Sequence, residues 1–165
     1  MEEVAVFVKD VTLENFAAYG NLIDSANKTA DAASAVFDYW DGLGEVKAEG
    51  KVSFGMVRSH PGPLVATNLE RHLKTSETLI PMTGEITLVV AAATESAAAD
   101  LSSAAAFKVP QGKAVTLKPG TWHYVPMHAD KEVKTMVVFR AGTPGDDLLV
   151  DDFSKNRGVV VRVKK

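Results

Sequence analysis

Short β-branched and aromatic runs, separated by glycine and proline, recur along this chain. They are Val52–Val57, Leu79–Ile80, Ile86–Ala91, Phe107–Val109, Val115–Leu117, Val133–Phe139 and Val159–Val163. Breakers fall between them, among them Gly50, Pro61, Gly62, Pro63, Gly84, Pro110, Gly112, Pro119, Gly120, Pro126 and Gly142. Short strands with a turn signal roughly every 8–12 residues describe an all-β sandwich or barrel. A mixed α+β domain is the alternative, and it suffers from the shortage of helical segments. One helix is expected, from Leu13 to Tyr19. Thr12 can cap its first turn, Gly20 can take the left-handed conformation at its stop, and Phe16 and Tyr19 share a face. The Ala- and Ser-rich stretch from Glu95 to Ala106 reads as a short helix or a connection. No repeat or charge block divides the chain, so residues 1–165 are expected to form one domain.

Composition narrows the function. The chain has 165 residues, and its 18 Lys+Arg against 21 Asp+Glu give a net charge of −3. Mild acidity argues against a general nucleic-acid binder, which needs basic surface to neutralise phosphates. The absence of cysteine excludes disulfides, thiolate metal ligands and a cysteine nucleophile. The start Met1-Glu2-Glu3 is acidic where a signal peptide is basic. The longest apolar stretch, Ile86 to Ala93, is strand length and far short of a bilayer span. A cytoplasmic protein without membrane contact is the expectation.

Candidate chemistry gathers in two segments. In Leu69-Glu70-Arg71-His72, strand periodicity puts Glu70 and His72 on one face. Glu77 follows after a Lys74-Thr75-Ser76 stretch that must turn or bulge to bring it to the same side. In the second segment a strand runs from Gly112 into a Pro119-Gly120 turn, and His123 opens the next strand. Two carboxylates and two imidazoles make a mixed O/N donor set, suited to Mn, Fe, Co, Ni or Zn rather than Ca or Mg. An internal polar network, with the carboxylates hydrogen-bonding the imidazoles and the backbone, is the other reading of the same residues.

These segments resemble the two motifs of the cupin superfamily. His72-x4-Glu77-x6-Gly84 matches the second half of the first motif, with Glu70 where the family has a histidine and Leu64 where it has glycine. Gly120-x2-His123 matches the end of the second motif, with Lys118 in place of proline and Pro119 one residue later. A closer resemblance is to the ureidoglycolate lyase family of allantoin catabolism. It rests on Leu69-Glu70-Arg71-His72, Ile80-Pro81-Met82-x-Gly84-Glu85, Trp122-His123 and the N-terminal Phe16-x2-Tyr19-Gly20.

The resemblance implies a jelly-roll β-barrel in which Glu70, His72, Glu77 and His123 converge as catalytic residues. It also implies one divalent first-row transition metal on those residues (Ni, Mn, Zn, Fe or Co) or a metal-free variant of the site. The implied substrate is a small anionic hydroxyacid, ureidoglycolate, cleaved to glyoxylate and urea. A non-catalytic cupin binding a small polar ligand, or another metal-dependent cupin enzyme, is the alternative.

A cation should receive the substrate carboxylate, and Arg58, Lys118 and Arg140 are the candidates. Arg58 shares parity with Val52, Phe54 and Met56, which suggests that it points inward. Arg71 has the opposite parity to Glu70 and His72, so it should leave the pocket, with an interface as one destination. A homodimer is expected from the resemblance, with Trp122 and Tyr124 as exposed aromatic anchors. His60 and His128 receive no role.

Overall fold

A computed structural model describes residues 1–165. Fifteen strands appear in chain order. They are β1 (Glu2–Asp10), β2 (Gly20–Ile23), β3 (Ala32–Ala33), β4 (Asp38–Tyr39), β5 (Val52–Ser59), β6 (Val65–Ala66), β7 (Leu69–Arg71) and β8 (Glu77–Pro81). There follow β9 (Ile86–Ala91), β10 (Ala105–Val109), β11 (Ala114–Leu117), β12 (Trp122–His123), β13 (Val133–Arg140), β14 (Leu149–Asp151) and β15 (Val159–Lys164). Three short helices complete it: α1 (Leu13–Phe16), α2 (Thr143–Asp146) and α3 (Phe153–Arg157). No helix is long and apolar enough to cross a membrane.

The strands form two large sheets. One has the order β14-β7-β12-β9-β10-β1-β15-β6, the other β2-β11-β8-β13-β5, and β3 and β4 make a separate ribbon. From β7 to β13 the chain passes repeatedly between the two large sheets, which is the all-β, jelly-roll architecture expected. Leu79, Leu88, Val90, Phe107, Val115 and Leu117 fill the space between the sheets. A second cluster, with Val89, Ala91, Ala106, Trp122 and Phe153, covers the other face of the eight-stranded sheet. Consecutive residues of β9 therefore serve opposite cores. A strand buried on both faces reads as a continuous apolar run rather than an alternating one, and every residue from Ile86 to Ala91 is buried.

Several expectations need correction. The helix stops at Phe16, with Ala17 as its right-handed C-cap. Thr12 does cap it, and Asn15 returns the bond to the Thr12 N–H. Gly20 starts β2 rather than ending a helix; a Cβ there would meet the Thr116 carbonyl oxygen at 1.9 Å. The close approach of two backbones, not a left-handed turn, requires glycine at this position. The Glu95–Ala106 stretch is a loop with one 3-10 turn at Leu101–Ser103, leading into β10. β1 was not foreseen. It inserts parallel to both β10 and β15.

Candidate active site

Three strand ends bring the site together. β12 lies between β7 and β9, and His123 is the direct antiparallel partner of Glu70. Directly opposed residues on neighbouring strands share a face. His72 follows two residues after Glu70. The chain then crosses to the other sheet, and Glu77, the first residue of β8, faces back from there. The Gly120 N–H donates to the His72 carbonyl at 2.7 Å, tying the two motif segments together. Gly120 does so at φ 87°, a conformation open mainly to glycine.

The side chains meet at short range. Glu77 Oε2 lies 3.0 Å from His72 Nε2 and 2.9 Å from His123 Nε2. Glu70 Oε1 lies 3.6 Å from His123 Nε2. All but Glu70 are almost fully buried; the Glu70 side chain is 30% exposed. The hydrogen-bond network assigns both ring tautomers. His72 Nδ1–H donates to the Asp147 carbonyl at 2.7 Å, and His123 Nδ1–H donates to the Thr121 carbonyl at 3.1 Å. Each neutral ring would then aim an Nε2 lone pair at a carboxylate oxygen. His72 Nε2, His123 Nε2 and Glu77 Oε2 are all buried without a hydrogen-bond donor to satisfy them.

Acceptors facing acceptors need a cation between them. A proton is one solution. Burial opposes charge on His123, yet the Glu77 and Glu70 carboxylates outweigh it and lift the imidazole to about 10. Burial likewise opposes charge on Glu77, but the two imidazoles hold its carboxyl down at about 2. His72 is raised as well, burial being outweighed by Glu77 and the Asp147 carbonyl. A divalent ion is the other solution. Glu70, His72 and His123 each offer a donor atom, all within 4.8 Å of one another, and so could hold one. The orphaned Nε2 atoms and the mixed N/O donor set fit a first-row transition metal.

A cavity of about 260 Å³ opens over Glu70, His72 and Glu77. Its other walls are apolar: Met56, Val57, Val137, Phe139, Pro144 and Leu148. None of the three expected cations reaches it. Arg58 belongs to the exposed face of the edge strand β5 and lies 3.8 Å from Glu132. Phe54, which shares its parity, is 73% exposed, so parity with it indicated the outside. Lys118 donates to the Ala17 carbonyl and borders a separate groove of about 460 Å³. Arg140 pairs with Asp146 and borders another, of about 430 Å³. These grooves are larger than the site cavity but contain no paired imidazoles.

Arg71 leaves the pocket, as its parity required, but it enters the second core instead of an interface. Its guanidinium lies 4.4 Å from the Trp122 ring centroid and donates to the Ser96 carbonyl at 2.8 Å. Trp122 is fully buried and Tyr124 half-buried, so Trp122 cannot be an exposed anchor. His60 and His128 lie outside the cluster; His128 Nδ1 accepts the Asp130 and Lys131 N–H groups in a turn. The carbonyls of Asp147 and Thr121 orient the imidazoles. Asp147 is 75 positions from His72, a contact with no signal in sequence spacing.

The fold and site define a class, a jelly-roll β-barrel with a carboxylate–imidazole centre at one end of its core. A protein-family model described as ureidoglycolate lyase matches residues 3–161, and the chain belongs to that family. No curated protein sequence matches the chain. Among solved structures it is similar to the oxalate decarboxylase of Lactobacillus farciminis in complex with formate. There the identity is 19% over 63% of this chain, with a TM-score of 0.43. It is also similar to the oxalate decarboxylase of Bacillus subtilis, described with Mn(II) centres, at 17% identity over 73% of this chain and a TM-score of 0.41. The chain spans 27% and 26% of the lengths of those two proteins.

Proposed function

We propose that this chain is a lyase that cleaves ureidoglycolate to glyoxylate and urea, with Glu70, His72, Glu77 and His123 as its working residues. The family match supports the reaction. The observation that carries the site is the set of orphaned Nε2 and Oε2 atoms facing one another beneath the cavity. In the reaction the substrate hydroxyl loses its proton, the carbon–nitrogen bond breaks, and the urea nitrogen gains a proton. Glu70 alone of the four is partly open, so it is the group that can reach the hydroxyl and accept its proton. Glu77, held near 2 between two imidazoles, is a poor base and serves as the fixed counter-charge. Proton transfers of this kind are worth roughly 10²–10⁴ each in rate.

The apolar cavity wall offers no Arg or Lys to the substrate carboxylate. Glu77 offsets the His123 imidazolium, which lies behind the cavity lining, so positive charge for the carboxylate would come from an ion that Glu70, His72 and His123 would hold. Such an ion would supply Lewis-acid polarisation of the substrate oxygens. The same reading makes the protein a cytoplasmic, one-domain homodimer. Purified protein incubated with ureidoglycolate should release urea and glyoxylate in equal amounts.

A second reading, a barrel that binds a small polar ligand without turning it over, draws support from Glu70 standing where the cupin motif has histidine. Tight binding of ureidoglycolate with no product release under any metal supplement would favour it.

A further inference from the structure

We infer that Asp147 is a positioning residue, one that sets the tautomer and aim of His72 and through it the strength of the site. The inference rests on reading the carboxylate–imidazole cluster as the functional centre.

Asp147 bonds three consecutive residues. Its backbone carbonyl accepts His72 Nδ1–H at 2.7 Å. Its carboxylate accepts the Leu73 N–H at 2.9 Å on Oδ1 and the Lys74 N–H at 2.8 Å on Oδ2. The residue is only 6% exposed. Bonds from N–H groups to an ionised carboxylate are among the stronger neutral–charged contacts. Leu73 and Lys74 lie where the chain leaves one sheet for the other, and no backbone carbonyl takes their N–H groups. The carboxylate takes the place of the ladder.

The two halves of Asp147 do different work. A carbonyl on the far side of an imidazole fixes which nitrogen is protonated and leaves the other free to face the centre. A backbone carbonyl, however, stays put only if its residue does. The carboxylate pins Asp147 to the crossing chain and so keeps that carbonyl against the ring. The approach from the other side is equally braced. The Asp147 N–H donates to the Thr143 carbonyl at 3.0 Å, and the fully buried Thr143 hydroxyl donates to the Arg140 carbonyl at 2.7 Å. Pro144 and Leu148 from this segment also line the cavity. One short segment thus forms a wall of the cavity and orients the imidazole at its floor.

Asp146 provides the control. It is adjacent, is the same residue type and pairs with Arg140, and it reaches the crossing segment only at the exposed Lys74 ammonium (4.0 Å from its Oδ2), not at the backbone of residues 72–74. Three variants separate positioning from bulk stability: Asp147→Asn, Asp147→Ala and Asp146→Asn. The first readout is long-range ¹H–¹⁵N NMR of the histidine rings, which needs neither metal nor turnover. Wild type and Asp146→Asn should show a protected His72 Nδ1–H. Asp147→Ala should lose that protection, and Asp147→Asn, which keeps one acceptor oxygen, should fall between.

The second readout is titration with Co(II) alone. Loss of an outer partner of a metal-binding histidine costs roughly 10–100-fold in affinity. That weakening is expected for Asp147→Ala, with a smaller one for Asp147→Asn and none for Asp146→Asn. Should Asp147→Ala fail to fold, the Asn variant carries the same comparison. A folded Asp147 variant with an unchanged His72 ring spectrum and unchanged Co(II) affinity would overturn the inference. If wild type releases no urea while the NMR ordering holds, the proposed reaction fails and the positioning role stands.

Discussion

Glu77 lies between two imidazoles whose outer nitrogens are already committed as donors, and this makes the site sensitive to what fills its centre. In metal-free protein the filler is protons, and the folded state gains from them. His123 has a folded pKa of about 10 against 6.5 unfolded. Its contribution is complete below 6.5 and is lost as pH rises through about 10. Glu77 has a folded value of about 2 against 4.5, so its contribution is complete above 4.5 and is lost as pH falls through about 2. Both describe one interaction seen from its two ends. Chelator-treated protein should therefore melt highest between about 4.5 and 6.5 and several degrees lower at pH 9. A thermal melt series in EDTA checks this, and Glu77→Gln should weaken the alkaline decline, leaving only the part that Glu70 sustains. Metal-loaded protein should show the opposite trend, because a metal competes with the protons for the same atoms. At this scale the sequence was informative where spacing carried the information: His72, Glu77 and His123 occupy motif positions. It misled at Arg58, where Phe54, an apolar neighbour of equal parity, marked an exposed face. It was silent on Asp147, whose contacts arise only from the fold.

Elements place these residues through close backbone approaches as much as through side-chain packing. At Gly20 a methyl group would collide with the Thr116 carbonyl oxygen, which belongs to a paired strand and cannot rotate away. Gly20→Ala should force β2 from β11 at a cost of about 1–3 kcal/mol. At about 2–4 °C per kcal/mol for a chain of this size, calorimetry should find Tm lowered by several degrees. Most strands were legible because a β-branched run between breakers has few other uses; Ile86–Ala91 appears with those very boundaries. β1 was missed although Val4, Val6 and Val8 alternate with other residues, since its parallel partners β10 and β15 lie at remote points of the chain. α1 ends at Phe16, and Gly20 serves the strand approach rather than a helix stop.

The whole molecule leaves β5 at the edge of its sheet, with Val52, Phe54 and Met56 exposed along one face. A long apolar edge invites pairing with another chain, and a second copy offers the same edge in an isologous arrangement. This strand, rather than the buried Trp122, is where the proposed homodimer is expected to form. Light scattering should give a dimer for wild type and a monomer for Phe54→Asp; a monomeric wild type at high micromolar concentration removes the interface. The central claim, that the buried carboxylate–imidazole cluster catalyses carbon–nitrogen cleavage of ureidoglycolate, is tested most directly by one comparison. Urea and glyoxylate release is followed for wild type and for His123→Ala, each folded by circular dichroism, with each first-row divalent metal and with EDTA. Wild type should release both products stoichiometrically under at least one condition, and the variant should lose at least about 10²-fold. Turnover by His123→Ala close to that of wild type would contradict the central claim.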